Sequence, residues 1–257
     1  MSNVRLPRSV RRYPGLWLTG GVVLVVVLVL ATLGALDSDT SPPLVQVATL
    51  ETEDIHVAAV IDDGYDTLVV GHHDGVLAST DGGRTWAEDL VGVDAMALVP
   101  KADHALLVGG HGFIGERATD GTYQELSPDL ADDDVHGLAR SRLDPERFWL
   151  VSGEGALYRS IDGGLSWAVI DEGPIVRIAT GPDSADDLWA VDAFRGLVSS
   201  VDGGSTWSDG AEVPGSPVNA LEISPDGSAL LLATGMGAFL SEDDGASWEQ
   251  ILDEPVA

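Results

Sequence analysis

An all-β fold built from one repeated antiparallel unit is predicted by three observations. First, an eight-residue box recurs along the chain: Ser79-Thr-Asp-Gly-Gly-Arg-Thr-Trp86, Ser160-Ile-Asp-Gly-Gly-Leu-Ser-Trp167, Ser200-Val-Asp-Gly-Gly-Ser-Thr-Trp207 and Ser241-Glu-Asp-Asp-Gly-Ala-Ser-Trp248. A degenerate copy running from Ala118 to Tyr123 (ATDGTY) fills the gap, so starts at 79, 118, 160, 200 and 241 lie 39, 42, 40 and 41 residues apart. Second, each box is preceded by three apolar runs of strand length, rich in β-branched and aliphatic residues and bounded by Gly, Pro and Asp. Third, helical periodicity is absent after residue 36. A period of about 40 residues accommodates four short strands and their turns, which is one blade of a β-propeller. Five boxes predict five blades. Leu44 to Leu50 (LVQVATL) supplies one further strand, so five and six four-stranded blades are both open.

The elements follow in chain order. Residues 1–15 carry Arg5, Arg8, Arg11 and Arg12, and residues 16–36 (LWLTGGVVLVVVLVLATLGAL) hold no charge. At ~1.5 Å per residue that stretch spans a hydrocarbon core of ~30 Å, and it is read as a transmembrane signal anchor. The arginines before it and the acids after it place residues 1–15 in the cytoplasm and everything after Asp37 outside, giving a single-pass protein of the cell membrane. A cleaved signal peptide is the rival reading, but its apolar region is usually ~7–15 residues long. Residues 37–43 (DSDTSPP) form a short polar linker, and 44–257 form the propeller.

The 257 residues hold 13 Lys+Arg against 42 Asp+Glu and no cysteine. Past Asp37 there are nine basic and 42 acidic residues, a net charge of −33, which repels phosphates and makes nucleic acid a poor partner. Without cysteine there is no disulfide framework, thiolate metal site or cysteine nucleophile. Lys101 is the only lysine, and aspartate outnumbers glutamate 29 to 13. Short surface carboxylates of this kind suit a salt-rich cell, where screening removes most of their mutual repulsion. Hydrophobic content of 44% and seven tryptophans supply enough apolar surface for an ordered core.

S-x-D-G-G-x-T-W resembles the Asp-box, or bacterial neuraminidase repeat, found in sialidases, sortilin-type receptors, photosystem assembly factors and many proteins labelled only as glycosyl hydrolases. The resemblance covers residues 44–257. It implies that the box is structural and lies on the outer rim of the blade, so Asp81, Trp86, Asp162, Trp167, Asp202, Trp207, Asp243 and Trp248 are read as fold determinants. The chemistry agrees: the aspartate can accept backbone N–H bonds across the turn, the glycines take positive φ, and the tryptophan packs between sheets.

Superposing the repeats on their boxes puts His56, Asp94, His136, Arg177 and Asn219 at one position, the start of the innermost strand, and His72 and His111 at the end of the second strand. These strand ends are expected at one mouth of a central channel, because adjacent strands are antiparallel. Five of six histidines (His56, His72, His73, His111, His136) would then gather there, with Asp94 or Asp74 beside them. Imidazoles with a carboxylate suit zinc, copper or iron. A polar, wet channel mouth is the plain alternative. Asp94, Arg177, Asn219 and Glu154 are the candidates for ligand contacts. The elements D-I-H-V-A, D-V-H-G-L and G-H-H-D-G are similar to those of the hydrolase-labelled Asp-box proteins.

The functional expectation is a membrane-anchored extracytoplasmic binding or assembly module, with a protein or glycan ligand and a histidine-rich site. The alternative is a glycoside hydrolase using two carboxylates drawn from Asp94, Glu154 and Asp192. Sialidase chemistry proper would need three arginines around the sialate carboxylate and a tyrosine–glutamate pair, and that set is not found at the expected channel positions.

Overall fold

The structure is a computed structural model that describes Leu50, residues 55–126 and residues 130–254. The expectations for segments 1–15, 16–36 and 37–43, and for a strand at the start of 44–257, lie outside the described residues. Among the described residues there is no α-helix, and so no helix long and apolar enough to cross a membrane.

The chain divides into two compact units. Gln46–Pro174 holds three antiparallel four-stranded sheets. The first runs β1 (Ile55–Val60), β2 (Leu68–His72), β3 (Gly75–Ser79), β4 (Ala87–Val91); the second β5 (Ala95–Pro100), β6 (Leu106–Gly110), β7 (Phe113–Arg117), β8 (Tyr123–Glu125); the third β9 (Val135–Arg140), β10 (Phe148–Ser152), β11 (Leu157–Ser160), β12 (Ala168–Asp171). Ile175–Ala257 holds two sheets: β13 (Ile175–Thr180), β14 (Leu188–Asp192), β15 (Gly196–Ser200), then β16 (Val218–Ile223), β17 (Leu230–Thr234), β18 (Gly237–Ser241), β19 (Glu249–Leu252). In the sheet begun by β13, the place of a fourth strand is taken by the single bridge Leu197↔Ala211. The segment there, Ser208-Asp-Gly-Ala-Glu-Val-Pro214, is rich in residues that strands disfavour.

The second strand of each sheet reads as a nearly unbroken apolar run because it is covered on both faces. LLVGG of β6 and FWLVS of β10 are buried at every position. Within Gln46–Pro174, Val69 and Val76 of the first sheet pack on Leu98, Leu106 and Val108 of the second. Leu107 and Ile114 from the other face of that second sheet meet Phe148, Leu150 and Tyr158 of the third. Within Ile175–Ala257, Val191 and Leu197 pack on Leu221, Leu232 and Phe239. Each such side chain contributes roughly 1.5–3 kcal/mol by leaving water.

The boxes behave as their residue types dictate. Asp81 accepts from the backbone N–H of Thr85 at 2.8 Å and from its hydroxyl at 2.7 Å, and the Ser79 hydroxyl donates to Asp81 while accepting from Gly83 N–H. Asp162, Asp202 and Asp243 repeat this pattern with Ser166, Thr206 and Ser247. Gly82 and Gly83 hold φ of 68° and 82°, which a side chain would oppose. The Trp86 and Trp167 indoles donate to the carbonyls of Gly83 and Gly164, whereas the Trp248 indole N–H has no partner.

The degenerate copy is built differently. Strand register aligns Arg117, not Ala118, with the box serine: Leu68 pairs Ser79, and Leu106 pairs Arg117. Arg117 is buried, and its guanidinium donates twice to Asp89, at 2.6 and 3.1 Å, where the Tyr123 hydroxyl donates as well. Burial and the Asp89 carboxylate together push the Tyr123 hydroxyl far above its ordinary value. An Arg117–Asp89 ion pair with the Tyr123 hydroxyl, across β4, β7 and β8, thus stands where the other blades have a box.

Candidate metal centre

The innermost strand of every sheet begins with a β-bulge. Ile55, Ala95, Val135, Ile175 and Val218 pair with His72, Gly110, Ser152, Asp192 and Thr234, after which the register skips one residue. The skipped residues are His56, Met96, His136, Val176 and Asn219. A bulge leaves its extra residue out of the ladder and re-aims the side chain, which is how His56 and His136 are presented.

This register corrects the box-based superposition. Asp94 is not equivalent to His56 and His136; it stands one residue before its strand, as Asp134 does. Arg177 lies one residue past its bulge. The turn histidines shift too: His73 aligns with His111, and His72 aligns with Gly110. For the turn histidines the cause is the one-residue offset of the degenerate copy; for Asp94 it is the turn 101–105 between β5 and β6, which is shorter than the turns 61–67 and 141–147 of the flanking sheets.

In Gln46–Pro174 two clusters result. His56 Nε2 is 2.9 Å from Asp94 Oδ1, and His73 Nδ1 is 3.1 Å from Asp94 Oδ2. His111 Nδ1 is 2.6 Å from Asp134 Oδ1, with His136 Nε2 3.2 Å from the same oxygen. Each triad, His56–His73–Asp94 and His111–Asp134–His136, has its donor atoms within 4.8 Å of one another. His111 belongs to both neighbourhoods, since its Nε2 is 3.5 Å from Asp94 Oδ2 and its ring meets that of His136 edge-on at 5.2 Å.

The short distances are not all hydrogen bonds. His73 to Asp94 is one, but Asp94 Oδ1, Asp134 Oδ1 and His136 Nε2 are shut off from solvent with no properly directed partner. Buried polar atoms are nearly always paired, so three orphans in one cluster call for an explanation. Lone pairs that approach closely without facing each other suit a shared cation, and two nitrogens with a carboxylate per triad suit zinc, copper or iron with coordination positions to spare.

Asp134, which the sequence reading passed over, is held by its surroundings. Its N–H donates to Asp132 at 3.1 Å and its carbonyl accepts from Gly153 at 2.7 Å. Burial opposes charge on Asp132, but the N–H groups of Asp134 and Glu154 and the Ser152 hydroxyl override it and keep its carboxyl below the ordinary range. Gly153 leaves room for the site, because a Cβ there would lie 2.3 Å from Asp134 Oδ2. The signal that could have revealed Asp134 is the repeat Asp54-Ile-His56, Asp94-Ala-Met96, Asp134-Val-His136.

The other candidates lie elsewhere. His72 is in neither triad; its Nδ1 accepts from Asp74 N–H. Glu154 is exposed and meets Asp132 through its backbone. In Ile175–Ala257, Arg177 spends its guanidinium on the carbonyls of Asn219 (2.8 Å) and Val176 (2.7 Å), fastening β13 to β16. Arg195 is bound to Asp192. With Arg117 on Asp89, these three arginines are each committed within the fold.

No family model matches the chain, and no curated protein does. Solved structures do resemble it. An ancestral GH74 enzyme is 18% identical with a TM-score of 0.61, covering 80% of this chain and 34% of its own length. A gluconolactonase from Xanthomonas campestris is 18% identical with a TM-score of 0.61, covering 75% of this chain and 74% of that one. A YCF48 protein bound to D1 peptide is 18% identical with a TM-score of 0.55, covering 78% and 67%. The chain thus spans about a third of the GH74 enzyme's length. At such identities the likeness establishes the fold: an all-β propeller of five antiparallel blades.

Proposed function

We propose that this is a membrane-anchored, extracytoplasmic propeller of Asp-box type, from a salt-rich cell, that acts as a binding or assembly module through a metal centre in its first three blades. The observation that carries the metal is the orphaned set Asp94 Oδ1, Asp134 Oδ1 and His136 Nε2 beside three further imidazoles. The uncharged stretch 16–36 supports the anchor, and the four Ser-x-Asp boxes support the family resemblance. The peptide-bound YCF48 neighbour supports a protein ligand. Elemental analysis of the full chain, purified in detergent and high salt without chelator, tests the metal. We expect at least one divalent ion per chain, lost when His56 and His136 are both changed to alanine. Protein that stays metal-free after incubation with zinc, copper and iron would overturn the reading.

A second reading, hydrolysis of a glycan or lactone at the same site, is favoured by two features. The three-donor triads leave coordination positions open, as in catalytic zinc sites. The GH74 enzyme and the gluconolactonase are structural neighbours. It predicts turnover of such substrates that Asp94→Asn abolishes while the fold persists.

A further inference from the structure

We propose that the two triads are one coupled two-ion centre and that His111 carries the coupling. The inference rests on the metal reading above. The placement of the two ring nitrogens carries it. Nδ1 lies 2.6 Å from Asp134 Oδ1, in the His111–Asp134–His136 triad, and Nε2 lies 3.5 Å from Oδ2 of Asp94, the carboxylate of the other triad. A neutral imidazole has one lone pair and one N–H. If Nδ1 gives its lone pair to the second ion, the proton must sit on Nε2, from where a small turn of the ring would bring it into a hydrogen bond with Asp94. The ligand of one ion then orients the carboxylate ligand of the other, the same arrangement by which metal-bound histidines are fixed by a hydrogen-bonded carboxylate.

The consequence is mutual. An ion at His111–Asp134–His136 fixes the His111 tautomer and polarises Nε2–H, which holds Asp94 toward His56 and His73. An ion at His56–His73–Asp94 holds Asp94 where it receives that N–H, favouring the tautomer the second ion requires. Reciprocity is a thermodynamic necessity for any such linkage. The donor sets, nitrogen with carboxylate oxygen, suit first-row divalent ions of the cobalt-to-zinc range.

The test is titration of the full chain with Co2+, read by its visible absorption, and competition with Zn2+. We expect two ions per chain. His136→Ala should remove the second ion and weaken the first about tenfold, and His56→Ala should do the converse by the same factor. Gly153→Ala provides a variant that keeps every ligand. Its φ lies outside the left-handed region and the nearest atoms to its new Cβ all belong to the Asp134 side chain, which must move aside, so the fold should persist while the second ion is lost and the first weakened. Circular dichroism of the metal-free variants reports folding separately. Two ions with affinities that ignore one another's removal would overturn the coupling, and a single ion per chain would overturn the two-ion centre while leaving the metal reading intact. A chain that binds no ion would sink both.

Discussion

Asp134 and Asp192 are both partly or wholly buried carboxylates beside the start of an innermost strand, one in each compact unit, and they are treated in opposite ways. Asp192 is filled: Oδ1 accepts from the N–H groups of Phe194 and Arg195, both at 2.8 Å, and Oδ2 takes the Arg195 guanidinium at 2.7 and 2.9 Å. Burial opposes its charge, and these donors outweigh burial and hold its carboxyl below the ordinary range. Asp134 has neither arginine nor N–H donors on Oδ1, only two histidines in poor alignment. The residues preceding the strands differ in the same sense: Asp94 and Asp134 in Gln46–Pro174, Pro174 and Pro217 beside β13 and β16. One frame thus carries two kinds of strand entry, and only one kind leaves donor atoms unused.

The largest effect should come where the units are alike. Trp149→Ala and Leu232→Ala each empty a fully buried site in a second strand, at about 3–5 and 2–5 kcal/mol respectively. Urea denaturation should show both losses. A neutral result in either unit would break the equivalence of their cores.

The contrast itself is sharpened by a pair of substitutions in metal-free protein. Asp192→Ala leaves two backbone N–H groups and Arg195 unserved and should cost about 1–3 kcal/mol. Asp134→Ala removes an oxygen that already lacks a partner and should leave stability level or raise it slightly, by roughly 0.5 kcal/mol. Equal losses from the two would show that Asp134 is satisfied after all.

The smallest effect lies in acid. Asp81 and Asp202, one per unit, are held at about 2, the first chiefly by the Thr85 backbone N–H and the second chiefly by the Thr206 hydroxyl. A carboxyl depressed below its unfolded value of about 3.9 stabilises the fold above that pH, and the contribution is lost as pH falls from about 4 toward 2. Asp81→Asn and Asp202→Asn should flatten tryptophan-monitored acid titrations over that window to the same extent. Superimposable curves for parent and variants would argue against the role given to these boxes.

The repeat period, the strand runs and the box turns were legible because each is a local pattern: spacing of the boxes, alternation of apolar runs with turn formers, and aspartate and serine hydrogen bonds that span at most four residues. The partnership of His56, His73, His111 and His136 was legible in outline, since strand ends that share a sheet edge share a neighbourhood. What escaped was register. Arg117 fills the serine's place through a partner 28 residues away, Asp89, and a bulge adds a residue with no mark in the sequence. The first offset paired His72 with His111 although it aligns with Gly110, and the shorter turn 101–105 before β6 hid the equivalence of Asp94 with Asp134. The missing fourth strand beside β15 was blurred for a related reason, because Trp207 starts that segment as its counterparts do and Gly210 and Pro214 then interrupt it.

Each intact box closes the carboxylate bonds of its aspartate inside its own turn, from Ser79 Oγ to Thr85 Oγ1 in the first copy. In its carboxylate hydrogen bonds such a turn asks nothing of the neighbouring copy. A duplicated stretch of about 40 residues therefore inherits a working outer corner whole, whatever happens at its opposite end. The opposite end can then drift, from aspartate and histidine to proline and arginine, without the blade losing its instructions for folding. The two histidine–aspartate triads lie at that opposite end.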